Sequence, residues 1–292
     1  MSTTASRKRI CVIILSSIVD MKRIIKNSQM NQKCYLFVPA KSKYLEKIDS
    51  FKDCAVIIDI EDSIPDNQKD MARKMVVDYL EDHSSQDKNC FVRLNANELP
   101  LELPLFDKYN VGFMLPKMSE VCSYHNYEDI LLRHEVMALI ESPMAIVNLK
   151  EICSCSWVDC VAFGAEDFTA STGIINENEY LRNVKSQIVT FAKAFQKYAI
   201  DSPSFNVDDD SKFEIDVEET VKLGFDGKLS IHPKHVRQIN EAYNTCDVET
   251  LQSIVSRFEK EGGGVVCVNG RIYEKMHIDQ IKKKLKNKSY ES

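Results

Sequence analysis

The chain has 292 residues, a net charge of −6 at pH 7 and an isoelectric point near 5.6. This length allows one large domain or two small ones. A nucleic-acid-binding face normally brings a basic excess, which this composition lacks, so we expect no nucleic-acid partner. The ten cysteines include no paired Cys-x-x-Cys sets, so zinc is not expected. Cysteines within apolar runs indicate a reducing compartment, and we expect a cytoplasmic protein.

Residues 1–32 differ from the rest and are predicted to be an N-terminal extension outside the fold. Basic residues at 7–9 precede an apolar run at 10–19 that is too short to span a bilayer. We therefore expect no membrane partner. The run resembles a signal or organelle transit segment, although no small-x-small cleavage site follows. Organellar targeting stays open, as does an upstream start with the folded part beginning at Met21 or Met30.

From Lys33 onward the chain repeats one pattern, in which an apolar run ends in a polar residue and a helix-length stretch follows. The runs predicted as strands are 34–39, 54–62, 90–95, 111–117, 136–141, 158–167, 198–201 and 228–232. Continuous apolar runs are typical of parallel strands buried on both faces. The sequence therefore predicts a TIM (β/α)8 barrel at 33–245 and a C-terminal helical extension at 246–292. An open doubly wound sheet is the alternative, but no Gly-x-Gly-x-x-Gly follows any predicted strand.

Two neighbouring predicted strands end in carboxylates. The run at 136–141 ends at Glu141, and the run at 158–167 ends at Glu166 and Asp167. Parallel strands joined by a helix bring such residues to the same edge of the sheet. This spacing suits one hard divalent cation held between Glu141 and Asp167. The alternative is that these acids only cap the helices that follow.

The predicted C-terminal edge of the barrel, where active groups lie in this architecture, collects further polar residues. They are Asp59, Glu61, Asp62, Arg93, Asn95, Lys117, Glu141, Asp167 and His232. Carboxylates together with an arginine and a lysine indicate a metal and an anionic substrate. Arg93 lies inside an apolar strand, where a guanidinium needs a partner. An ion pair with Glu61 or Asp62 is its structural alternative.

A series of motifs follows in order along the chain. They are LFVPA at 36–40, IIDIEDSIP at 57–65, KDMAR at 69–73, VRLN at 92–95, LPK at 115–117, LIES at 139–142, VDCVAFGAEDF at 158–168 and LGFDGKLSIHP at 223–233. Together they resemble the citrate lyase beta subunit family, which is similar to malyl-CoA and citramalyl-CoA lyases in the HpcH/HpaI aldolase group. The resemblance covers about residues 35–285.

The resemblance implies a TIM barrel with a C-terminal lid, oligomers that are trimeric or hexameric, and Mg²⁺-dependent lyase or Claisen chemistry on acyl thioesters. It places Glu141 and Asp167 at the metal ligands and Arg93 at the substrate-binding arginine. Glu61 and Asp62 match acidic residues that line the family's pocket. Asn95 and Lys117, from the same predicted edge, complete the expected substrate-binding set.

Two segments depart from the family pattern. In the first motif Ala40 replaces the usual glycine, and Lys41 and Lys43 supply the charge that an arginine usually brings nearby. The segment at 262–277 resembles the family's lid, in which an aspartate reaches into a neighbouring subunit's site. Glu274 stands at that position, and we expect it to be catalytic by moving a proton.

The sequence thus predicts a lyase that cleaves a malyl-, citramalyl- or citryl-type 3-hydroxyacyl thioester into an acyl thioester and a 2-keto acid. Its expected cofactor is Mg²⁺, its ligands are a 2-keto acid and acyl-CoA or another acyl thioester, and its assembly is a homotrimer or homohexamer. Two alternatives are a metal-dependent aldolase on free pyruvate-type substrates and a non-catalytic binding subunit of a biosynthetic complex.

Overall fold

The structure is a computed structural model that describes residues 30–83, 89–174, 177–205, 207–244, 248–268 and 270–288. The chain divides into two compact units between Asn240 and Glu241. Most of the predicted N-terminal extension lies outside the described residues, and its role stays a prediction. Within the described part, no helix is long and apolar enough to cross a membrane.

The first unit is a closed barrel of eight parallel strands that follow one another in chain order. The strands are β1 (Cys34–Pro39), β2 (Ala55–Asp59), β3 (Cys90–Arg93), β4 (Gly112–Leu115), β5 (Val136–Ile140), β6 (Cys160–Phe163), β7 (Tyr198–Asp201) and β8 (Gly227–Ser230). β8 pairs with β1, with Leu229 opposite Tyr35, and this pairing closes the sheet. The predicted TIM-barrel fold is confirmed.

Helices connect the strands and follow most of them in the chain. They are α1 (Ser42–Leu45), α2 (Lys69–Asp82), α3 (Leu99–Phe106), α4 (Glu128–Leu131), α5 (Pro143–Val147), α6 (Leu149–Ser154), α7 (Ala165–Thr172), α8 (Glu177–Ala194), α9 (Asp210–Leu223) and α10 (His235–Asn244). Short 3-10 helices lie at Ile48–Ser50, Asp66–Gln68, Ala96–Glu98 and Val121–Tyr127.

Apolar side chains fill both faces of the barrel wall, which is why the strands read as continuous apolar runs. Along β2, Ile57 points into the barrel interior, whereas Val56 and Ile58 pack in the cluster beneath the helices. One position in the barrel wall has no room for a side chain. A Cβ atom at Gly112 would lie 2.3 Å from the Phe91 ring, so this position needs glycine.

Several strands are shorter than predicted, and the largest difference affects a site residue. The predicted strand at 158–167 is β6 only as far as Phe163, and Ala165 begins α7. Glu166 and Asp167 therefore lie in the first turn of a helix. Unpaired N–H groups and the helix dipole favour carboxylates at that place. The N-cap itself is Gly164, and no side chain caps this helix, so these acids are not its caps.

The second unit consists of α11 (Val248–Lys260), β9 (Val265–Val268), β10 (Arg271–Glu274) and α12 (Lys275–Lys288). β9 and β10 form an antiparallel pair in which Glu274 lies opposite Val265. Its core contains Ile254, Phe258, Val266, Ile278 and Ile281. Because side chains alternate along a strand, the hairpin presents Val265 and Ile272, both exposed, on its other face.

Asp201, at the end of β7, is the centre of a buried charge cluster that joins β7, β8, α8 and α9. Its Oδ2 atom accepts hydrogen bonds from Lys185 Nζ at 3.0 Å, Lys228 Nζ at 3.1 Å and Thr220 Oγ1 at 2.6 Å. Asp201 and Lys228 have no exposed surface. Burial alone would raise the pKa of Asp201, but the charges of Lys228 and Lys185 hold it well below its usual range.

We expect Asp201→Asn to destabilise the barrel by about 3 kcal/mol at pH 7, because it leaves buried lysines short of a charged partner. A carboxylate with a depressed folded-state pKa stabilises the fold at pH values above its unfolded pKa, and this contribution is lost as pH falls through the folded pKa. The variant should therefore lose less stability than the wild type on acidification. Urea unfolding at pH 7 and at about pH 2, below the usual pKa of an aspartate, measures both effects. Asp208→Asn, at an exposed position, is the control, and equal stability of both variants at pH 7 would contradict the cluster's role.

Candidate functional site

A cavity of about 370 Å³ lies at the C-terminal edge of the barrel. Residues from the ends of seven of the eight strands, or from the loops just after them, line it. Most of the charged side chains that line it are acidic. Among the described lining residues, the one basic side chain is that of Arg93, and the acidic ones are Asp59, Asp62, Glu141, Glu166 and Asp167. This excess of carboxylates at the strand ends is the main electrostatic feature of the site.

Arg93 ends β3, and its guanidinium is held by the acid that ends β2 and by acids of the loop that follows it. Its Nε and Nη2 atoms donate to the two oxygens of Asp59 at 2.8 and 2.7 Å. Its Nη1 atom donates to Asp62 at 3.0 Å and lies 3.4 Å from Glu61 Oε2. The guanidinium also stacks 5.1 Å from the centre of the Phe37 ring. Arg93 thus makes the expected ion pairs and lines the cavity at once.

Asp59 orients both Arg93 and the loop that follows β2. It is 4% exposed, and besides Arg93 it accepts the backbone N–H groups of Glu61 at 2.9 Å and Ser63 at 3.2 Å. Burial would raise the pKa of Asp59, but hydrogen bonds and charge from Arg93 lower it. Sequence reasoning placed Asp59 on the rim but gave it no role. The sequence feature that could have indicated a role is its place as the first acid of the IIDIEDSIP motif.

Glu141 follows β5 and is fixed from two sides. Its Oε2 atom accepts a hydrogen bond from the backbone N–H of Lys117 at 2.8 Å. Lys117 has a positive φ of 53°, a backbone conformation that residues other than glycine rarely adopt. On the other side, a Cβ atom at Gly164 would lie 2.5 Å from Glu141 Cγ. The glycine is therefore needed for the carboxylate to occupy this place.

The carboxyl groups around Glu141 repel one another. Burial raises the pKa of Glu141 to about 8, and the Asp167 and Glu61 carboxylates raise it against the opposing effects of Lys117 and Arg93. Burial also raises the pKa of Glu61. The Glu61 Oε2 atom is buried and accepts no hydrogen bond from the described residues.

These observations fit a divalent cation bound by Glu141 and Asp167. A cation would offset the repulsion between the carboxylates, and oxygen ligands are those that Mg²⁺ prefers. The described residues contain no group of three or more His, Cys, Asp or Glu side chains arranged to hold a metal. Two protein carboxylates still agree with Mg²⁺, which usually keeps several water ligands and completes its shell with substrate.

Lys117 and Asn95 lie near the site but differ in what they contact. Lys117 Nζ pairs with Glu61 Oε1 at 3.1 Å, so it joins the acidic loop without being a lining residue of the cavity. Asn95 donates to the Ile60 carbonyl at 3.1 Å and to Glu102 Oε1 at 2.6 Å. Its Oδ1 atom accepts from Lys69 Nζ. Asn95 does not line the cavity, and its predicted substrate-binding role stays a prediction.

Asn95 instead belongs to a supporting layer under the loop after β2. Lys69 Nζ also donates to the Glu61 carbonyl at 3.0 Å, and Arg73 binds Glu102 at 2.9 Å. Lys69 and Arg73 are the ends of the KDMAR motif, to which the sequence alone assigned no role. This layer holds the backbone that carries Glu61.

Glu274 lies in the second unit, where it ends β10 and its side chain is exposed. Its backbone N–H donates to His277 Nδ1 at 3.0 Å at the start of α12. The lining residues of the cavity given above all belong to the barrel unit. The catalytic role of Glu274 stays a prediction. His232, also predicted on the rim, does not line the cavity.

We expect Gly164→Ala to weaken Mg²⁺ binding roughly 10- to 100-fold, because the added methyl group displaces Glu141, and losing such support costs metal sites about this much. Calorimetric titration with Mg²⁺ measures the affinity, and circular dichroism checks the fold. Gly264→Ala is the matched control, since a Cβ atom there has no neighbour within 4 Å. Unchanged affinity in a folded Gly164→Ala protein would contradict the placement of the metal at Glu141.

Comparisons with known proteins show what this chain is similar to. A family model described as HpcH/HpaI aldolase/citrate lyase matches residues 33–233. The citrate lyase subunit beta of Leuconostoc mesenteroides subsp. cremoris is 25% identical over 273 residues, which cover 85% of this chain and 90% of the relative. The mitochondrial citramalyl-CoA lyase of Rattus norvegicus is 29% identical over 277 residues, which cover 83% and 82%.

A solved structure is also similar. It is the citrate lyase beta subunit from M. tuberculosis complexed with oxaloacetate and magnesium, with 26% identity and a TM-score of 0.65. The match covers 74% of this chain and 98% of that one.

Proposed function

We propose that this chain, which belongs to the HpcH/HpaI aldolase/citrate lyase family, is a Mg²⁺-dependent enzyme that cleaves a 3-hydroxyacyl thioester into an acyl thioester and a 2-keto acid. It is a carbon–carbon lyase, as its relatives are. One observation carries the finer proposal. At the C-terminal edge of the barrel, five carboxylates face one guanidinium, an arrangement suited to a cation and an anionic substrate together.

The proposed reaction breaks the bond between the hydroxyl-bearing carbon and the carbon next to the thioester. The electron pair of that bond goes to the carbon next to the thioester, which then takes up a proton. The hydroxyl group loses its proton and becomes the keto oxygen. The step needs no oxidant or reductant, but it needs a stabilised charge on the reacting oxygen and a group that moves a proton.

Glu141 and Asp167 are the residues that would hold Mg²⁺. When bound, the cation would supply Lewis acidity and a template for the keto-acid half of the substrate. The magnesium and oxaloacetate in the similar solved structure support this part of the proposal. Asp62 lines the same cavity, whereas Glu61 is not among the lining residues. Both would act beside the cation by holding Arg93, and Glu61 also holds Lys117.

Arg93 would stabilise negative charge on the reacting oxygen. A guanidinium has five N–H donors, and three of them donate to Asp59 and Asp62 in hydrogen bonds. Of the other two, one is on Nη1, which also lies 3.4 Å from Glu61 Oε2, and one is on Nη2; these would bind the substrate. Because the carboxylates already fix the guanidinium, it would not need to reorient when charge develops, which is the condition for effective electrostatic catalysis.

Glu274 would transfer the proton from the lid of a neighbouring subunit. Val265 and Ile272, exposed beside it on the same face of the hairpin, would then be covered in the assembly. This role requires an oligomer, which we propose to be a homotrimer or homohexamer. We propose a cytoplasmic location, and the mitochondrial relative makes organellar targeting the alternative.

The proposed function is tested by assaying a panel of hydroxyacyl-CoA thioesters with and without Mg²⁺. We expect cleavage only with the metal. In Glu141→Gln and Asp167→Asn, metal binding and turnover should both be lost with the fold intact, because each change removes a charged ligand but keeps its shape. Cleavage of free hydroxy-keto acids alone would indicate an aldolase without a thioester, and binding without turnover would indicate a non-catalytic subunit. Either result would contradict the proposal.

Arg93→Lys should lower kcat by about 10²-fold or more, because lysine keeps the charge but lacks the planar pair of donors that Asp59 and the reacting oxygen need. Steady-state kinetics and thermal unfolding should be measured together. A variant that loses thermal stability but retains its rate per folded molecule would reduce Arg93 to an ion-pair role.

Mixing Arg93→Ala with Glu274→Gln subunits tests the shared site. Glu274→Gln keeps the size and polarity of the side chain but cannot transfer the proton. After partial dissociation and reassembly, hybrid oligomers should regain activity that neither parent has, since some sites then combine an intact Arg93 with an intact Glu274. Full activity of Glu274→Gln by itself would end this role.

A further inference from the structure

Lys69, the first residue of α2, is a largely buried cation whose hydrogen bonds go to uncharged oxygens. Its side chain is 12% exposed, and among the described residues the acid beside it is Asp66, whose exposed carboxylate lies 3.9 Å from Lys69 Nζ. The ammonium donates to the Glu61 carbonyl at 3.0 Å, to the Ile60 carbonyl at 3.4 Å and to the amide oxygen of Asn95. An ammonium has three N–H donors, so these three oxygens use all of them. Lys69 is therefore placed to hold backbone rather than to form an ion pair.

The loop after β2 is held by two groups of opposite charge. Asp59 accepts hydrogen bonds from the N–H groups of Glu61 at 2.9 Å and Ser63 at 3.2 Å. Lys69 binds the carbonyl groups of Ile60 and Glu61 in the same loop. Hydrogen bonds to a charged group are stronger than those between neutral groups. The backbone of Glu61 is thus fixed by an anion at its N–H group and by a cation at its carbonyl group.

The position of Glu61 in turn affects both cations beside the cavity. Its carboxylate is 6% exposed, with Oε1 3.1 Å from Lys117 Nζ and Oε2 3.4 Å from Arg93 Nη1. The backbone N–H of Lys117 donates to Glu141, one of the two residues proposed to hold Mg²⁺. A shift of the loop that carries Glu61 would therefore disturb the arginine and the proposed metal ligand together.

Building on the proposed function, we propose that Lys69 is a positioning residue for the reaction. It does not line the cavity, so it acts on the reacting groups through Glu61. By holding the Glu61 carbonyl, Lys69 keeps the Glu61 carboxylate against Arg93 and Lys117. Lys117 then keeps Glu141 in place for Mg²⁺. The ammonium also offsets part of the repulsion among the carboxylates of this edge, because it lies directly behind the acidic loop.

Lys69→Met tests this role, since it keeps the length of the side chain but removes the ammonium. We expect the Kd for Mg²⁺ to rise about tenfold and kcat to fall about tenfold, the usual effect of losing a group that supports a metal ligand. Lys69→Gln, a second neutral variant, should show the same loss, and Lys69→Arg, which keeps the charge and N–H donors, should recover most of it. Calorimetric titration with Mg²⁺ and steady-state kinetics measure both quantities.

Lys74→Met is the matched control, because it makes the same change at an exposed position of α2. It should change neither the affinity for Mg²⁺ nor kcat. Unchanged affinity and kcat in folded Lys69→Met protein overturn the inference and leave the proposed function standing. If the wild type cleaves no thioester, the proposed function fails, and the Mg²⁺ titration of the same variants still decides the role of Lys69.

Combining Lys69→Met with Glu61→Ala distinguishes positioning from a purely structural role. Glu61→Ala keeps the carbonyl group that Lys69 binds but removes the carboxylate that it positions. Lys69→Met should therefore lower the melting temperature in both backgrounds. In the Glu61→Ala background it should weaken Mg²⁺ binding by less than about twofold, because residues that act through one network have non-additive effects. An equal, about tenfold weakening in both backgrounds overturns positioning through Glu61.

Discussion

The ion pair between Asp59 and Arg93 is the interaction on which the rest of the site depends. Both residues are nearly buried, and the paired hydrogen bonds of 2.8 and 2.7 Å meet the need of each for a partner. Removing either residue would leave an uncompensated charge at the top of the barrel. Because Asp59 also accepts two backbone N–H groups, the same carboxylate shapes the loop that carries Glu61 and Asp62. The arginine and the acidic loop therefore form one unit.

Glu141 extends this unit to the other side of the cavity. Lys117 contacts Glu141 through its backbone N–H and Glu61 through its side chain, so one residue in an unfavourable backbone conformation joins both carboxylates. Such conformations persist where the surrounding structure holds them, and they are common at functional sites. The resulting concentration of negative charge is costly without a cation. This cost is the physical reason to propose a metal beside Glu141.

Sequence reasoning predicted the barrel because parallel strands buried on both faces leave continuous apolar runs, and it predicted the edge because each run ended in a polar residue. It could not locate the strand ends. Apolar residues continue past β6 into α7, so Asp167 was expected on a strand and lies on a helix. Nor could it show what Asn95 contacts. Asn95 follows a strand, as the cavity-lining residues do, and only the structure shows its amide bound to Lys69 and Glu102 under the loop.

A crystal structure with Mn²⁺ in place of Mg²⁺ and with pyruvate would test the central claim most directly. Mn²⁺ is bound by the same oxygen ligands and gives an anomalous signal that locates it. The account predicts a metal peak bound to Glu141 and Asp167, with the pyruvate carboxylate toward the metal and Arg93. A metal bound elsewhere, or pyruvate bound outside the barrel cavity, would contradict it.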